Sequence, residues 1–254
     1  MSNIVISGYY GFGNAGDEAM LCAIIDAIRK EEADAHITVI SGNPTETSKK
    51  HNIHAVGTFS AFGILKAIAN SDLVISGGGS LLQDATSIRN TYYYLSIMAL
   101  AKMMGKKVML YSQGIGPLNR PSTRSAVSFI LRFVDTITVR DSISKSELES
   151  LGIEDVEVTA DAVLAMQPAN LSIGKRILEG YTSKLPKSIE NPKRIGVAVR
   201  SWKDDTEYRE SLANVLSRLQ EQDEVEIIFI PMSHPEDTKE AKIIANYMPK
   251  GAIV

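Results

Sequence analysis

The sequence predicts an α/β protein, with a doubly wound parallel-sheet domain at the N-terminus and an incomplete second α/β domain after it. Three observations predict this. Short β-branched runs alternate with stretches of helical period. Residues 167–193 interrupt the rhythm with Pro168, Pro186, Pro192, Gly174 and Gly180. The alternation then restarts and stops inside a third strand, at Val254.

In chain order, Ile4-Val5-Ile6 reads as the first strand. Asp17 to Glu31 carries apolar residues at Ala19, Met20, Ala23, Ile24, Ala27 and Ile28, which is helical spacing. Ile37 to Ile40 is a strand, Ala61 to Asn70 a helix and Leu73 to Ile75 a strand. Ser87 to Met104 is a long helix closed by Gly105. Lys107 to Tyr111 is a strand, Pro121 to Val134 a helix, Thr136 to Val139 a strand, Ser142 to Leu151 a helix and Val156 to Val158 a strand. The first domain is placed at 1–166, a linker or crossover at 167–193 and the partial second domain at 194–254. In that domain Ile195 to Val199 and Val225 to Ile230 are strands, Thr206 to Gln222 and Glu236 to Met248 helices. Ala252 to Val254 opens a third strand.

The chain has 254 residues, 44% hydrophobic and 22% charged, the composition of an ordinary globular protein. Its 27 basic and 30 acidic residues give a net charge of −3 and no basic stripe, so no nucleic-acid partner is expected. Cys22 is the single cysteine and is expected to be helix core. No Cys/His grouping predicts a metal site. The N-terminus reads as a strand, with no signal peptide. The apolar stretch from Tyr92 to Ala101 falls short of the roughly 20 residues that span a bilayer. A cytoplasmic location is expected, with peripheral contact at the inner face of the membrane and homo-oligomerisation left open.

Ligands of doubly wound folds bind at the carboxyl ends of the strands, so the loops there matter most. The first runs from Gly8 to Glu18. Gly11, Gly13 and Gly16 match the GxGxxG spacing of dinucleotide sites. The second strand, however, ends Ile40-Ser41-Gly42-Asn43 without the acid that holds a ribose, and Asp17 and Glu18 in the first helical turn repel a pyrophosphate. A tight turn with an acidic cap, or a loop holding sugar hydroxyls with Asp17 as acceptor or proton shuttle, fits better. The second loop, Ser76-Gly77-Gly78-Gly79-Ser80-Leu81-Leu82-Gln83-Asp84, lets backbone approach a ligand but lacks the GK[ST] of a P-loop. The third contains Gln113, Gly114, Gly116 and Pro117. Arg140 and Arg200 each end a strand, where a guanidinium can grip a carboxylate or phosphate. The competing reading for Arg140 is an ion pair with Asp141. Asp161 is a strand-end acid or a cap. His234 reads mainly as a loop residue, and Trp202 adjoins Arg200.

Taken together and in order, GYYGFGNAGDEAML at 8–21, SGGGSLLQD at 76–84, YYYL at 92–95, YSQGIGP at 111–117, TVRD at 138–141 and TADAV at 159–163 resemble the polysaccharide pyruvyltransferases. The likeness is strongest to the bacterial type that modifies secondary cell-wall polysaccharide for S-layer anchoring. VAVRSW at 197–202 and IPMSHPED at 230–237 add to it. The resemblance implies a GT-B-like pair of Rossmann-like domains around a cleft. It implies phosphoenolpyruvate as donor, with no further cofactor, and a lipid-linked or polymeric cell-wall glycan as acceptor. The product is a cyclic pyruvate ketal, and phosphate is released. It implies Asp17 and Arg140 as catalytic candidates. Gly11, Gly13, Asn14, Gly16, Gly77, Gly78, Gly79, Ser80, Gln113, Gly114, Asp161 and Arg200 become substrate-binding candidates. The family also carries an Arg-Leu-His motif late in its second domain, its His a catalytic group. These 254 residues contain no such tripeptide, so a fragment of weak or no activity is expected. A nucleotide-sugar glycosyltransferase of the same architecture and a non-catalytic sugar- or anion-binding module are the rival readings.

Overall fold

A computed structural model describes residues 1–182, 193–201, 206–222 and 225–254. Residues 183–192 of the expected linker, and Trp202, lie outside them. The chain forms two compact units, Met1–Met166 and Gln167–Val254.

The first unit is a seven-stranded sheet. Its strands are β1 (Asn3–Ser7), β2 (His36–Ser41), β3 (His54–Gly57), β4 (Leu73–Gly77), β5 (Lys107–Gln113), β6 (Thr136–Val139) and β7 (Glu157–Val158). All pairs are parallel, in the order β3-β2-β1-β4-β5-β6-β7. The chain runs outward from β1 to β3, returns to the other side of β1 at β4, and runs outward again. The direction therefore switches between β1 and β4, which is where such sheets open a crevice.

Alternate residues of each strand supply two cores, because a sheet buried on both faces needs apolar side chains on both. Ile4, Ile6, Ile37, Val39 and Ile75 pack with Leu21, Ile24 and Ile25 of α1 (Ala15–Glu31). Val5, Val74, Val108, Leu110 and Val139 pack on the other face. Their partners come from α3 (Ala61–Ala69), α4 (Ile88–Met103), α5 (Pro121–Leu131) and α6 (Ser142–Glu149). Asn14 caps α1, Asp17 and Glu18 occupy its first turn and Arg29 and Lys30 its last, so charge matches the helix dipole at both ends.

Two elements escape the hydrophobic pattern. Helix α2 (Pro44–His51) has the polar sequence PTETSKKH and buries only Thr47 and His51. It forms because Asn43 caps it and Pro44 stands at its first position. β3 is a four-residue edge strand. Cys22, expected in the core, is only half-buried, with its thiol 3.8 Å from Asp26 Oδ2 on the polar side of α1.

In the second unit, helix α7 (Leu171–Thr182) occupies part of the segment read as linker. β8 (Lys193–Val197) pairs in parallel with β9 (Val225–Phe229), and α8 (Tyr208–Gln222) and α9 (Glu236–Asn246) complete two strand–helix units. Ile253 forms a parallel bridge to Ile228, the position of a third strand. Glu240, 3% exposed, receives both Nε and Nη2 of Arg209 at 2.7 Å and the Tyr208 hydroxyl at 2.5 Å. Arg209 holds its carboxyl below the usual range. Among the described residues no helix is long and apolar enough to cross a membrane.

Candidate functional site

The loop leaving β1 is shaped by its glycines. Gly11 and Gly13 both adopt a φ of +77°, open to glycine at little cost. A methyl group on Gly11 would fall 2.2 Å from Ser41 Oγ and 2.5 Å from the Asn43 amide nitrogen, so no other residue fits. Gly11 N–H donates to Glu18 Oε1 at 2.6 Å, and Asn14 Oδ1 accepts from Gly16 at 2.9 Å and Asp17 at 3.3 Å. Amides of this kind bind phosphate in dinucleotide sites. Here the chain's own side chains occupy them.

Across the switch point, Gly78 and Gly79 of the loop after β4 have φ values of +76° and +72°. A methyl group on Gly77 would come 2.8 Å from Ile24 Cδ1, so this loop lies directly on α1. One on Gly79 would come 3.1 Å from Asp17 Oδ1, which places that carboxylate against the loop. Tyr10, 1% exposed, stands beneath both loops and donates its hydroxyl to Gly77 O at 2.5 Å. Burial, and then the nearby Asp17 carboxylate, push the Tyr10 phenol well above its ordinary pKa, so it remains a neutral donor. Tyr94 is raised too, by burial first and by Tyr93 and Asp17 after it.

The loops after β4 and β5 are strapped together beyond the sheet. Gly114 N–H donates to Gly79 O at 2.9 Å, Gly116 N–H to Leu82 O at 2.8 Å and Asp84 N–H to Pro117 O at 3.1 Å. Leu82 and Ile115 bridge in parallel. The Asp84 carboxylate accepts from Asn119 N and Arg120 N, each at 2.8 Å, and from Asn119 Nδ2 at 3.2 Å. Burial raises the Asp84 pKa, but the hydrogen bonds it accepts, led by those two backbone donors, together outweigh it, and the carboxyl lies below its ordinary range. Gln113 is fully buried, with neither amide atom bonded among the described residues.

Arg140 follows β6 and lies over this strap. Its Nη2 donates to Ser80 Oγ at 3.1 Å and its Nη1 to Asp161 Oδ2 at 3.4 Å, while Nε lies 3.4 Å from Asp141 Oδ2. The ion pair with Asp141 thus exists, alongside contacts to two of the loops. A methyl group on Gly114 would meet Arg140 Cζ and Nε at 2.8 Å and Ser80 Oγ at 2.7 Å. Gly114→Ala is therefore expected to destabilise the first unit by about 1–3 kcal/mol, measured by urea denaturation, because the overpacked side chains must move.

The structure thus gathers most of the residues singled out by sequence. Asp17 and Arg140 flank the same dipeptide, Gly79–Ser80, with Gly77, Gly78, Gln113 and Gly114 in the same loop cluster. Gly11, Gly13, Asn14 and Gly16 shape the facing loop. Asp161 acts both as a cap, accepting from Val163 N–H at 3.1 Å, and as a partner of Arg140. Arg200 belongs to the second unit, where it is exposed and its carbonyl accepts from the Tyr208 hydroxyl at 3.4 Å. His234 Nδ1 lies 3.3 Å from Thr238 Oγ1, a local contact within one turn. Among the described residues no group of three His, Cys, Asp or Glu side chains could hold a metal ion. Tyr10 and Asp84 are supports that sequence reasoning assigned no role, and Glu18, read only as a first-turn acid, also holds Gly11 N–H. All three lie inside the quoted motifs, where the glycines drew the attention.

A family model described as polysaccharide pyruvyl transferase matches residues 14–251. The amylovoran biosynthesis protein AmsJ of Erwinia amylovora is 25% identical over 200 residues, 63% of this chain and 47% of that protein. The chain thus spans about half the length of that curated relative. Among solved structures, S. aureus MnaA bound to UDP matches 100% of this chain and 68% of its own, with a TM-score of 0.63 and 13% identity. The 2,6-sialyltransferase of Photobacterium sp. JT-ISH-224 matches 99% of this chain and 63% of its own, with a TM-score of 0.58 and 12% identity. At those identities the two structures share the fold, the parallel α/β architecture of GT-B-like enzymes.

Proposed function

Because the chain belongs to the polysaccharide pyruvyl transferase family, we propose that its strand-end loops help transfer pyruvate from phosphoenolpyruvate to a glycan precursor of the cell envelope, as a cyclic ketal. The observation that carries this reading is the placement of Asp17 and Arg140 on either side of Gly79–Ser80 at the switch point. A carboxylate able to move protons and a cation able to hold an anion stand at one loop, and the reaction needs both.

The donor carries a carboxylate and a phosphate, and the Arg140 guanidinium is suited to hold either of them. Protonation of the donor's terminal enol carbon makes its C2 electrophilic. One sugar hydroxyl adds to C2 and gives up its proton, phosphate departs, and a second hydroxyl closes the ring. Of the two hydroxyl protons, one ends on the new methyl group and one on phosphate, so the transfer needs no outside oxidant or reductant. Asp17 is the group proposed to shuttle these protons, and a positioned acid/base of this kind contributes about 10²–10⁴-fold. The glycines of both loops let the acceptor sugar approach backbone, and the two backbone amides already bonded to Glu18 and Asn14 leave little room for a pyrophosphate there.

The test uses the gene's full product with phosphoenolpyruvate and a lipid-linked cell-envelope glycan, and reads the pyruvyl ketal by mass spectrometry. Arg140→Ala is expected to lower the rate by about 10²–10³-fold, as loss of a charge-stabilising donor does. Absence of ketal in the parent protein, together with no binding of phosphoenolpyruvate, would defeat the proposal. Tight binding of a nucleoside diphosphate in that case would favour a nucleotide-sugar glycosyltransferase.

A further inference from the structure

We propose that Asp161 is a built-in counter-ion for Arg140, which an incoming anion must displace and which returns when the anion leaves. The idea rests on the reading of Arg140 as the anion-holding residue and concerns how that residue is regulated.

The geometry separates the two carboxylates that face this guanidinium. Asp141 adjoins Arg140 in the chain, and its Oδ1 accepts from Ser144 N–H at 2.7 Å as the cap of α6. It is fixed where it stands. Asp161 arrives from a different element, after the exposed two-residue strand β7. Its Oδ1 caps only the short 3₁₀ turn Ala162–Ala165. Its Oδ2 reaches Arg140 Nη1 at 3.4 Å, longer than the roughly 2.7–2.9 Å of a strong charge-assisted bond. The Arg140 side chain is one-third exposed, at 33%, so an anion from solvent can reach it. Because Nε faces the fixed Asp141, the fork left to a carboxylate or phosphate is the one made by Nη1 and Nη2, and Nη1 is the atom Asp161 holds. Asp161 and the incoming anion compete for that nitrogen.

This arrangement has a use in group transfer. A bare guanidinium beside glycine-rich backbone would retain phosphate after each turnover. An internal carboxylate lowers affinity for every anion and replaces the product as it leaves. Asp161 therefore sets the balance between capture of the donor and release of phosphate.

The experiment titrates inorganic phosphate into the 254-residue chain and its variants by calorimetry. Asp161→Asn keeps the capping oxygen and removes the charge, and Asp161→Ser is a second variant with an oxygen for Val163 N–H. Asp34→Asn removes an equal charge from an exposed site between α1 and β2, in the half of the sheet away from β7. Asp161→Asn and Asp161→Ser are expected to bind phosphate about two- to fivefold more tightly than the parent, the span of a partly exposed ion pair. Asp34→Asn is expected to leave affinity unchanged, and adding Arg140→Ala to Asp161→Asn to abolish the gain. Unchanged or weaker binding by both Asp161 variants, or an equal gain from Asp34→Asn, overturns the proposal. The two readings fail separately. Tighter phosphate binding without ketal formation by the full product leaves the counter-ion standing and removes the transfer reaction. Ketal formation with unaltered phosphate affinity does the reverse.

Discussion

Replacing Asp84 with alanine is expected to cost the first unit about 3 kcal/mol and to lower its melting temperature by roughly 10 °C. The carboxylate is 8% exposed and is the shared acceptor for Asn119 N–H and Arg120 N–H. Alanine leaves both donors facing space that water fills poorly, and unsatisfied buried donors carry the full penalty of desolvation. Asparagine, which retains one oxygen, is expected to recover about half of the loss. The pH dependence has a definite sign. The folded carboxyl lies below its ordinary value, so its contribution is complete above an unfolded pKa of about 3.9 and disappears as pH falls below that value. Thermal melts of parent and variant should thus differ by a constant amount at neutral pH and converge in acid. A difference that persists undiminished at pH 2 would show that the carboxylate's charge is not what holds the strap.

Tyr10→Ala is expected to be costlier, at about 4 kcal/mol, the range of large-to-small changes at fully buried aromatic positions. The ring fills the space below Gly8, where a methyl group would come within 2.4 Å of it, and its hydroxyl closes on Gly77 O. Tyr10→Phe removes only the hydroxyl and should cost about 1 kcal/mol. The raised phenol gives a second check. A group whose folded pKa is raised stabilises fully below its unfolded value and loses that contribution as pH climbs past it. The parent should therefore weaken above about pH 10 more steeply than Tyr10→Phe. Equal alkaline melting curves would mean that the phenol does not couple to folding.

Strands were easiest to read from the sequence where burial on both faces makes the signal continuous. β1, β2, β4 and β6 appear as runs containing Val and Ile, β5 as the apolar run Val108 to Leu110, and the helices that cover them show regular apolar spacing. α2 and β3 were not legible, because a capped polar helix and a short edge strand carry almost no hydrophobic pattern. Among the site residues, the glycines and strand-end charges stood out because positive φ and strand position both leave marks in sequence. The supports did not. Asp84 acts through backbone N–H groups 35 and 36 residues away, Glu18 through an amide seven residues before it, and Tyr10 through a carbonyl 67 residues on. The Asp84 and Tyr10 contacts exist only once the sheet has brought distant loops together, and the Glu18 contact only once the glycine turn folds back on the start of α1, so no spacing rule announces them. Cys22 shows the converse error. Its residue type suggests the interior, yet its place on α1 turns it toward Asp26.

The strap between the loops after β4 and β5 has a consequence for how this protein can vary. Each hydrogen bond pairs a position in one loop with a position in the other, from Gly79–Gly114 through Leu82–Gly116 to Asp84–Asn119. A single insertion on either side would put every later pair out of step. The two loops can lengthen only together, and new acceptor preferences are more easily reached by exchanging side chains on a rim of constant length than by remodelling it.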